Sequence, residues 1–310
     1  MAAHGSCQFP APFPVLSPMI DPASPSITAE LLRAHGLRPR KRWGQNFLCD
    51  RNVRDRIVRA AALRPEECVL EIGAGLGALT VGLAQACAKV TAIELDRRLA
   101  PILEQTLAGC QNVRLIFGDF LRLDLAELWE EAFTPTGGHP SRGVVVANIP
   151  YYISSPIVEA LLAHKARLAR IVLLVQQEFA ARLLARPGTS DYGSLSVFVQ
   201  YHAQVEDLGR VSPSVFLPRP EVSSAIVRLT PVLPGTVVVP EEALFFRLVR
   251  TAFGQRRKTL LNTLSRSREL GRAVAEEALA RVGIDAGRRG ETLSLEEFAQ
   301  LAWALAEKEV

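Results

Sequence analysis

Cys68-Val69-Leu70-Glu71-Ile72 runs without a break into Gly73-Ala74-Gly75-Leu76-Gly77. The first five residues are β-prone and mostly apolar, and over 76–86 the apolar residues return at helical spacing. A buried strand that turns through glycines into a helix is the opening unit of a doubly wound α/β sheet, whose ligands sit beyond the carboxyl ends of the strands. Outward from that unit the pattern repeats. Lys89–Glu94, Val113–Phe117, 144–147 and 171–175 read as further short strands, with a helix over 99–107 between them. The alternation predicts a parallel sheet with helices on both faces. Residues 195–203 and 224–229 are expected to complete it.

The flanks read differently. Ser26-Ile27-Thr28-Ala29-Glu30 can cap a helix that stops at Gly36, and a second helix is expected over 51–62. Residues 1–26, rich in Pro, Ser and Ala, are expected to be a disordered tail; they lack the positive charge ahead of an apolar run that marks a secretory signal, and Met19 could itself be the start. From about Pro234 no strand pattern recurs after 236–239, and helical segments follow at 241–254, 256–265, 272–282 and 294–307. Three parts result: a tail (1–26), a catalytic domain (27–233) and a small all-helical C-terminal domain (234–310).

Composition excludes several classes. With 48% hydrophobic and 22% charged residues in 310, the chain has the make-up of a folded domain pair, neither fibrous nor disordered. No stretch reaches the roughly 18 apolar residues of a membrane span. The five cysteines, Cys7, Cys49, Cys68, Cys87 and Cys110, are odd in number and form no Cys-x-x-Cys pair, so neither a disulfide framework nor a metal site is expected. The net charge of +4 permits a nucleic-acid partner without requiring one.

The glycine loop narrows the ligand. Gly73-x-Gly75-x-Gly77 is one residue short of the Gly-x-Gly-x-x-Gly dinucleotide spacing. A pyrophosphate is held by helix N–H groups, whereas the sulfonium and ammonium of S-adenosylmethionine call for nearby carboxylates. Glu71 stands just before the glycines, Glu94 ends the next strand where a carboxylate accepts ribose hydroxyls, and Asp119 ends the third where it can accept from an adenine amine. Three acids at three consecutive strand ends favour S-adenosylmethionine over a nicotinamide cofactor. The expected fold is therefore α/β, a class I (Rossmann-like) S-adenosylmethionine-dependent methyltransferase sheet with helices on both faces plus the helical C-terminal domain.

The fourth strand runs into Asn148-Ile149-Pro150-Tyr151. An exocyclic adenine amine is a poor nucleophile because its lone pair is delocalised into the ring. The Asn148 side-chain oxygen and the Ile149 carbonyl can accept its two N–H bonds, Pro150 fixes the backbone that aims that carbonyl, and Tyr151 can stack on the purine. No metal is required, since the rate comes from orientation. Phe216, in Phe216-Leu217-Pro218-Arg219-Pro220-Glu221-Val222, is a candidate second wall for the base, or else a packed core phenylalanine.

Positive charge is concentrated. Residues 33–59 hold nine Lys/Arg against two acids, and 247–272 hold eight against one, so 17 of the 36 positive charges lie in two short stretches. Lys41 and Arg42 in the first, and Arg250, Arg256, Arg257 and Lys258 in the second, are candidate contacts to a phosphate backbone.

With these residues in place the sequence resembles the KsgA/Dim family of rRNA adenine N6-dimethyltransferases over 27–303. The resemblance is carried by Gly44-Gln45-Asn46-Phe47-Leu48, Glu71-Ile72-Gly73-Ala74-Gly75, Asn148-Ile149-Pro150-Tyr151, the Phe216–Val222 motif and Ala252-Phe253-Gly254-Gln255-Arg256-Arg257-Lys258-Thr259-Leu260. It implies that Asn46, Leu48, Gly73, Glu94, Asp119 and Asn148 contact S-adenosylmethionine, and that Asn148, Ile149, Tyr151 and Phe216 frame the target base. It further implies conversion of two adjacent adenines, in a hairpin near the 3' end of small-subunit (16S) rRNA, to N6,N6-dimethyladenine. The setting implied is a monomer acting on an immature 30S particle in the bacterial cytoplasm. Two positions depart from the family pattern. Ile149 replaces the usual Leu and matches the related Erm enzymes of large-subunit rRNA, and Tyr152 stands where many relatives carry Asn. An Erm-like enzyme and a non-catalytic subunit-maturation factor are the competing readings.

Overall fold

The computed structural model describes residues 20–40, 43–134, 142–255, 257–266 and 271–307. Its elements in chain order begin with α1 (Pro25–Ala34), β1 (Phe47–Leu48), α2 (Arg51–Ala60), β2 (Cys68–Ile72), α3 (Ala78–Ala84), β3 (Lys89–Glu94), α4 (Ala100–Thr106) and β4 (Val113–Phe117). There follow α5 (Leu125–Phe133), β5 (Gly143–Asn148), α6 (Ser154–Ala163), β6 (Leu168–Gln176), α7 (Gln177–Leu184), α8 (Ser194–His202), β7 (Ala203–Val211), β8 (Phe216–Leu217) and β9 (Ser224–Pro231). The chain ends in α9 (Glu242–Phe253), α10 (Leu260–Leu264), α11 (Arg272–Arg281) and α12 (Leu295–Ala306).

Seven strands form one sheet in the order β4-β3-β2-β5-β6-β9-β7. The first five are mutually parallel, and β9 and β7 close the far edge antiparallel. Because strand side chains alternate, each central strand feeds two cores. Leu70, Val145 and Leu173 face Trp129, Leu161 and Leu183 on one side, while Val69, Val144 and Val172 face Ile57, Leu83 and Ile102 on the other.

Two expectations need correction. Residues 195–203 are not a strand; they are helix α8. That helix is buried on two sides, with Leu195 and Val199 in the first sheet core and Val197 and Tyr201 in the core of the C-terminal helices. A helix apolar nearly all round gives no clear helical period in sequence. The edge strand is β7 instead, half-exposed and polar. Lastly, order begins before residue 26: Asp21 accepts ion pairs from Arg51 and Arg54, each at 2.8 Å, and the Thr28 hydroxyl donates to the Pro22 carbonyl at 2.7 Å. Residues 1–19 lie outside the described residues.

The four C-terminal helices fall close to where their spacing places them, and α9, α10, α11 and α12 share a core with α8 through Phe245, Leu248, Leu279, Phe298 and Leu301. Phe47 and Leu48, in register with Leu217 and Phe216, form a two-stranded antiparallel ribbon separate from the main sheet. Among the described residues no helix is long and apolar enough to cross a membrane.

Candidate active site

The carboxyl ends of β2, β3, β4 and β5 surround one cavity, closed on its remaining side by residues 43–48. The glycine loop forms its floor. Gly73 and Gly75 have φ of +87° and +59°, which L side chains rarely adopt, and a Cβ on Gly75 would lie 3.2 Å from the Phe47 ring. The loop therefore needs glycine both for its backbone turn and for the close approach of β1.

Glu94 is 7% exposed and lines the cavity. Its Oε2 accepts from the Gly75 N–H and its Oε1 from the Asp96 N–H, both at 2.8 Å. Burial raises its pKa, and these backbone donors oppose that rise. Each carboxylate oxygen retains a lone pair, so acceptance of ribose hydroxyls remains open to it. Asp119 also lines the cavity while capping the next turn, its Oδ1 accepting from the Leu121 N–H at 3.1 Å. Capping leaves lone pairs on its carboxylate that a further donor can use.

Asn148, at the end of β5, donates through Nδ2 to the Asn46 carbonyl at 3.3 Å. Its Oδ1 takes no hydrogen bond among the described residues, which leaves an acceptor at the cavity wall. The Ile149 N–H is spent on the Leu174 carbonyl at 3.2 Å and the Ile149 side chain is buried, so this residue can meet a ligand only with its carbonyl. Pro150 starts the turn Tyr151–Ile153 and lines the cavity. The Tyr151 side chain lies outside what is described.

Of the expected cofactor residues, Asn46, Leu48, Gly73, Gly75, Glu94, Asp119 and Asn148 all line this one cavity. Two expected site residues do not. Glu71 does not line it: the side chain is completely buried, neither carboxylate oxygen has a partner of good geometry among the described residues, and burial, only partly opposed by the nearby Thr80 hydroxyl and reinforced by the Glu94 charge, pushes its pKa up to about 8. It shares the strand face of Val69, because residues two apart on a strand point the same way. A neutral acid there cannot answer a sulfonium. Phe216 is 4% exposed, packs in the second sheet core and does not line the cavity, so the core reading holds.

The cavity is also lined by residues that sequence chemistry passed over or, for Tyr152, noted only as a departure from the family pattern. Leu95, Leu121 and Tyr152 line it while remaining 41%, 38% and 56% exposed, an unusual state for large apolar side chains. Leu95 and Leu121 directly follow Glu94 and Asp119 or its neighbour in chain order, and that adjacency to two selected acids was the available signal. Trp43 and Gln45 complete the wall.

The basic clusters separate into charges engaged within the fold and exposed charges. Arg51 and Arg54 pair with Asp21, and Arg56 donates to the Leu208 and Arg210 carbonyls, so these three serve the fold. Arg250, at the end of α9, and Arg257 and Lys258, in the turn that follows, are exposed and form no ion pair among the described residues. Lys41, Arg42 and Arg256 lie outside the described residues. Among the described residues no group of His, Cys, Asp or Glu is placed to hold a metal ion.

A family model described as "Ribosomal RNA adenine dimethylase" matches residues 36–307. The chain is 49% identical over 283 residues to ribosomal RNA small subunit methyltransferase A of Moorella thermoacetica, covering 91% of this chain and 98% of that protein. It is likewise 49% identical over 289 residues to the protein of that name from Pelotomaculum thermopropionicum, covering 92% and 97%. Among solved structures, a dimethyladenosine transferase from Plasmodium falciparum superposes with a TM-score of 0.71 at 27% identity, covering 84% of this chain and 98% of that one. The 23S rRNA methyltransferase ErmE superposes with a TM-score of 0.64 at 30% identity, covering 84% and 100%.

Proposed function

The chain belongs to the ribosomal RNA adenine dimethylase family, and from that premise we propose that it dimethylates the N6 amines of two adjacent adenines in a hairpin near the 3' end of small-subunit (16S) rRNA. The substrate is the immature 30S particle late in its assembly, the place is the bacterial cytoplasm, and the enzyme acts as a monomer. S-adenosylmethionine is the cofactor, and when bound it supplies an electrophilic methyl group on a sulfonium. The chain's own residues supply everything else. Glu94 and Asp119, which line the cavity, would accept from hydroxyl and amine donors of the adenosine, the Gly73–Gly75 turn would leave room for it, and Asn46 and Leu48 would cover it.

One observation carries the reading: the Asn148 amide is turned so that Nδ2 is committed to the Asn46 carbonyl and Oδ1 is left as an acceptor. With the Ile149 carbonyl beside it, two acceptors are available to one exocyclic amine. Accepting both N–H bonds draws the nitrogen toward tetrahedral geometry and frees its lone pair, and holding it in line accounts for most of the acceleration. Pro150 fixes the backbone that aims the Ile149 carbonyl.

The large-subunit alternative rested on Ile149. That side chain is 1% exposed and packs in a sheet core, so the exchange of Leu for Ile there concerns packing and not the base. The small-subunit reading is favoured by relatives of that name aligned over nearly their whole length.

The test is mass spectrometry of nucleosides from undermethylated small subunits incubated with the protein and S-adenosylmethionine, with large subunits in parallel. N6,N6-dimethyladenosine in the small subunit alone is expected. Product in the large subunit alone would transfer the case to the Erm-like reading, and none in either would favour a maturation factor without catalysis.

A further inference from the structure

Tyr152 combines a fixed backbone with an unused side chain. It sits inside the turn Tyr151–Ile153, where the Pro150 carbonyl accepts from the Ile153 N–H at 3.2 Å and from the Ser154 hydroxyl at 3.4 Å. Ile153 packs against the first sheet core and α6 starts at Ser154, itself 2% exposed, so the turn is anchored on its far side. The Tyr152 ring, by contrast, is 56% exposed and belongs to none of the three buried cores, and its hydroxyl has no hydrogen-bond partner among the described residues. A single exposed apolar side chain is ordinary. Three on one cavity, Tyr152 with Leu95 and Leu121, mark a surface that a ligand covers.

Chain order divides that rim. Leu95 directly follows Glu94 and Leu121 stands two residues after Asp119, so both go with the acids read as acceptors for the adenosine. Tyr152 instead follows Asn148 and Ile149, whose Oδ1 and carbonyl are the acceptors read for the target amine. Its ring therefore stands at the RNA end of the cavity. The Asn148–Ile149 pair serves one amine at a time, while the proposed substrate has two adjacent adenines, so one waits outside as the other reacts. Taking a base out of its stack strips its neighbour of contact on one face, and an aromatic ring at the cavity mouth restores that contact.

We propose that Tyr152 is a specificity-determining residue whose ring stacks on the nucleobase next to the adenine under reaction. The stack holds that neighbour at the mouth and so registers the reacting nucleotide against Asn148. A purine offers a larger face than a pyrimidine, and the neighbour is read by the size of its ring system and not by its edge. The inference rests on the proposed reading of two adjacent adenines as the substrate.

The experiment uses the full chain and small subunits assembled in vitro on unmethylated rRNA in which one or other of the two adenines is replaced by guanine or by uracil. Methyl transfer to the remaining adenine gives kcat/KM, and calorimetry follows binding of S-adenosylhomocysteine separately. At one of the two positions the wild-type chain should favour guanine over uracil by at least about threefold, a part of what one base–aromatic stack contributes. In Tyr152→Ala, kcat/KM on the unsubstituted subunit should fall at least about fivefold, the lower end for loss of such a stack. The guanine preference should then vanish, a change that a merely structural loss would not produce. Tyr152→Leu, apolar but without an aromatic face, should behave as the Ala variant does, whereas Tyr152→Phe should keep both rate and preference. S-adenosylhomocysteine affinity should be unchanged in all three. No guanine preference in the wild type at either position, a preference kept by Tyr152→Ala or Tyr152→Leu, or its loss in Tyr152→Phe would overturn the proposal. Loss of S-adenosylhomocysteine binding in the ringless variants would overturn it in favour of a cofactor wall. A wild-type chain that leaves subunits with both adenines unmethylated would overturn the functional reading beneath it.

Discussion

The Asn148 side-chain amide donates to the Asn46 backbone carbonyl at 3.3 Å, joining two motifs 102 residues apart in the chain. One contact fixes both which end of the amide faces the cavity and where the covering segment lies over it. Substitution at Asn148 therefore removes an acceptor and also a tether.

Asn148→Ala should lower the methyl-transfer rate by about 10²–10³, the usual cost of losing one oriented polar group at a reacting centre. Single-turnover transfer to undermethylated small subunits reads this directly. Thermal stability within a few degrees of wild type would show that the loss is chemical, whereas an unchanged rate would remove Asn148 from the reaction.

Glu71 makes a pH signature. Its pKa stands at about 8 when folded, against an ordinary value of 4.5, so between these values the folded chain holds a proton that the unfolded chain releases. Stability must then fall as pH rises through that window, by at most about 1.4 kcal/mol per pH unit from this group. Glu71→Gln should flatten the melting temperature between pH 5 and about 8 and exceed wild type at the alkaline end. A Gln variant that melts lower than wild type at pH 8 would contradict the neutral-acid assignment.

Phe216 separates a core role from a base-stacking role. Phe216→Leu should preserve methylation with a modest loss of stability, while Phe216→Ala should cost about 3–5 kcal/mol in denaturant unfolding. Loss of activity in the Leu variant with full stability would return the residue to the base pocket.

Arg250, Arg257 and Lys258 are exposed, form no ion pair among the described residues and lie close together in the chain. Replacing all three with Ala should reduce the slope of log affinity against log salt by about two, with S-adenosylmethionine affinity unchanged. An unaltered slope would place the RNA footprint on another face.

The sequence pattern located six of the seven strands of the sheet and the C-terminal helices, because the central strands are short buried runs set between amphipathic helices and residues 224–229 form β9. It misread residues 195–203 because helix α8 buries Leu195 and Val199 on one side and Val197 and Tyr201 on the other, erasing the period. Glu94, Asp119 and Asn148 were legible since strand ends are where such a sheet binds. Glu71 and Phe216 were not, because motif adjacency says nothing about which way a side chain points. One residue of offset along β2 turns Glu71 from the face it was expected to serve. Asn46 and Leu48 came only from family resemblance: their place at the cavity depends on the pairing of β1 with β8, which no local pattern announces.

That pairing also sets an order of events during synthesis. Phe47 emerges from the ribosome early, yet its partner Leu217 is made 170 residues later. Until then the strands that carry Glu94, Asp119 and Asn148 can assemble, but the segment that covers them is tied only by side chains, Gln45 to Asp96 and Asn148 to the Asn46 carbonyl, and lacks the backbone partner of Phe47 and Leu48. A nascent chain arrested before residue 216 should hold a cofactor cleft with a loosely held cover, so full competence to bind cofactor arises near the end of the catalytic domain's translation and not with its glycine loop.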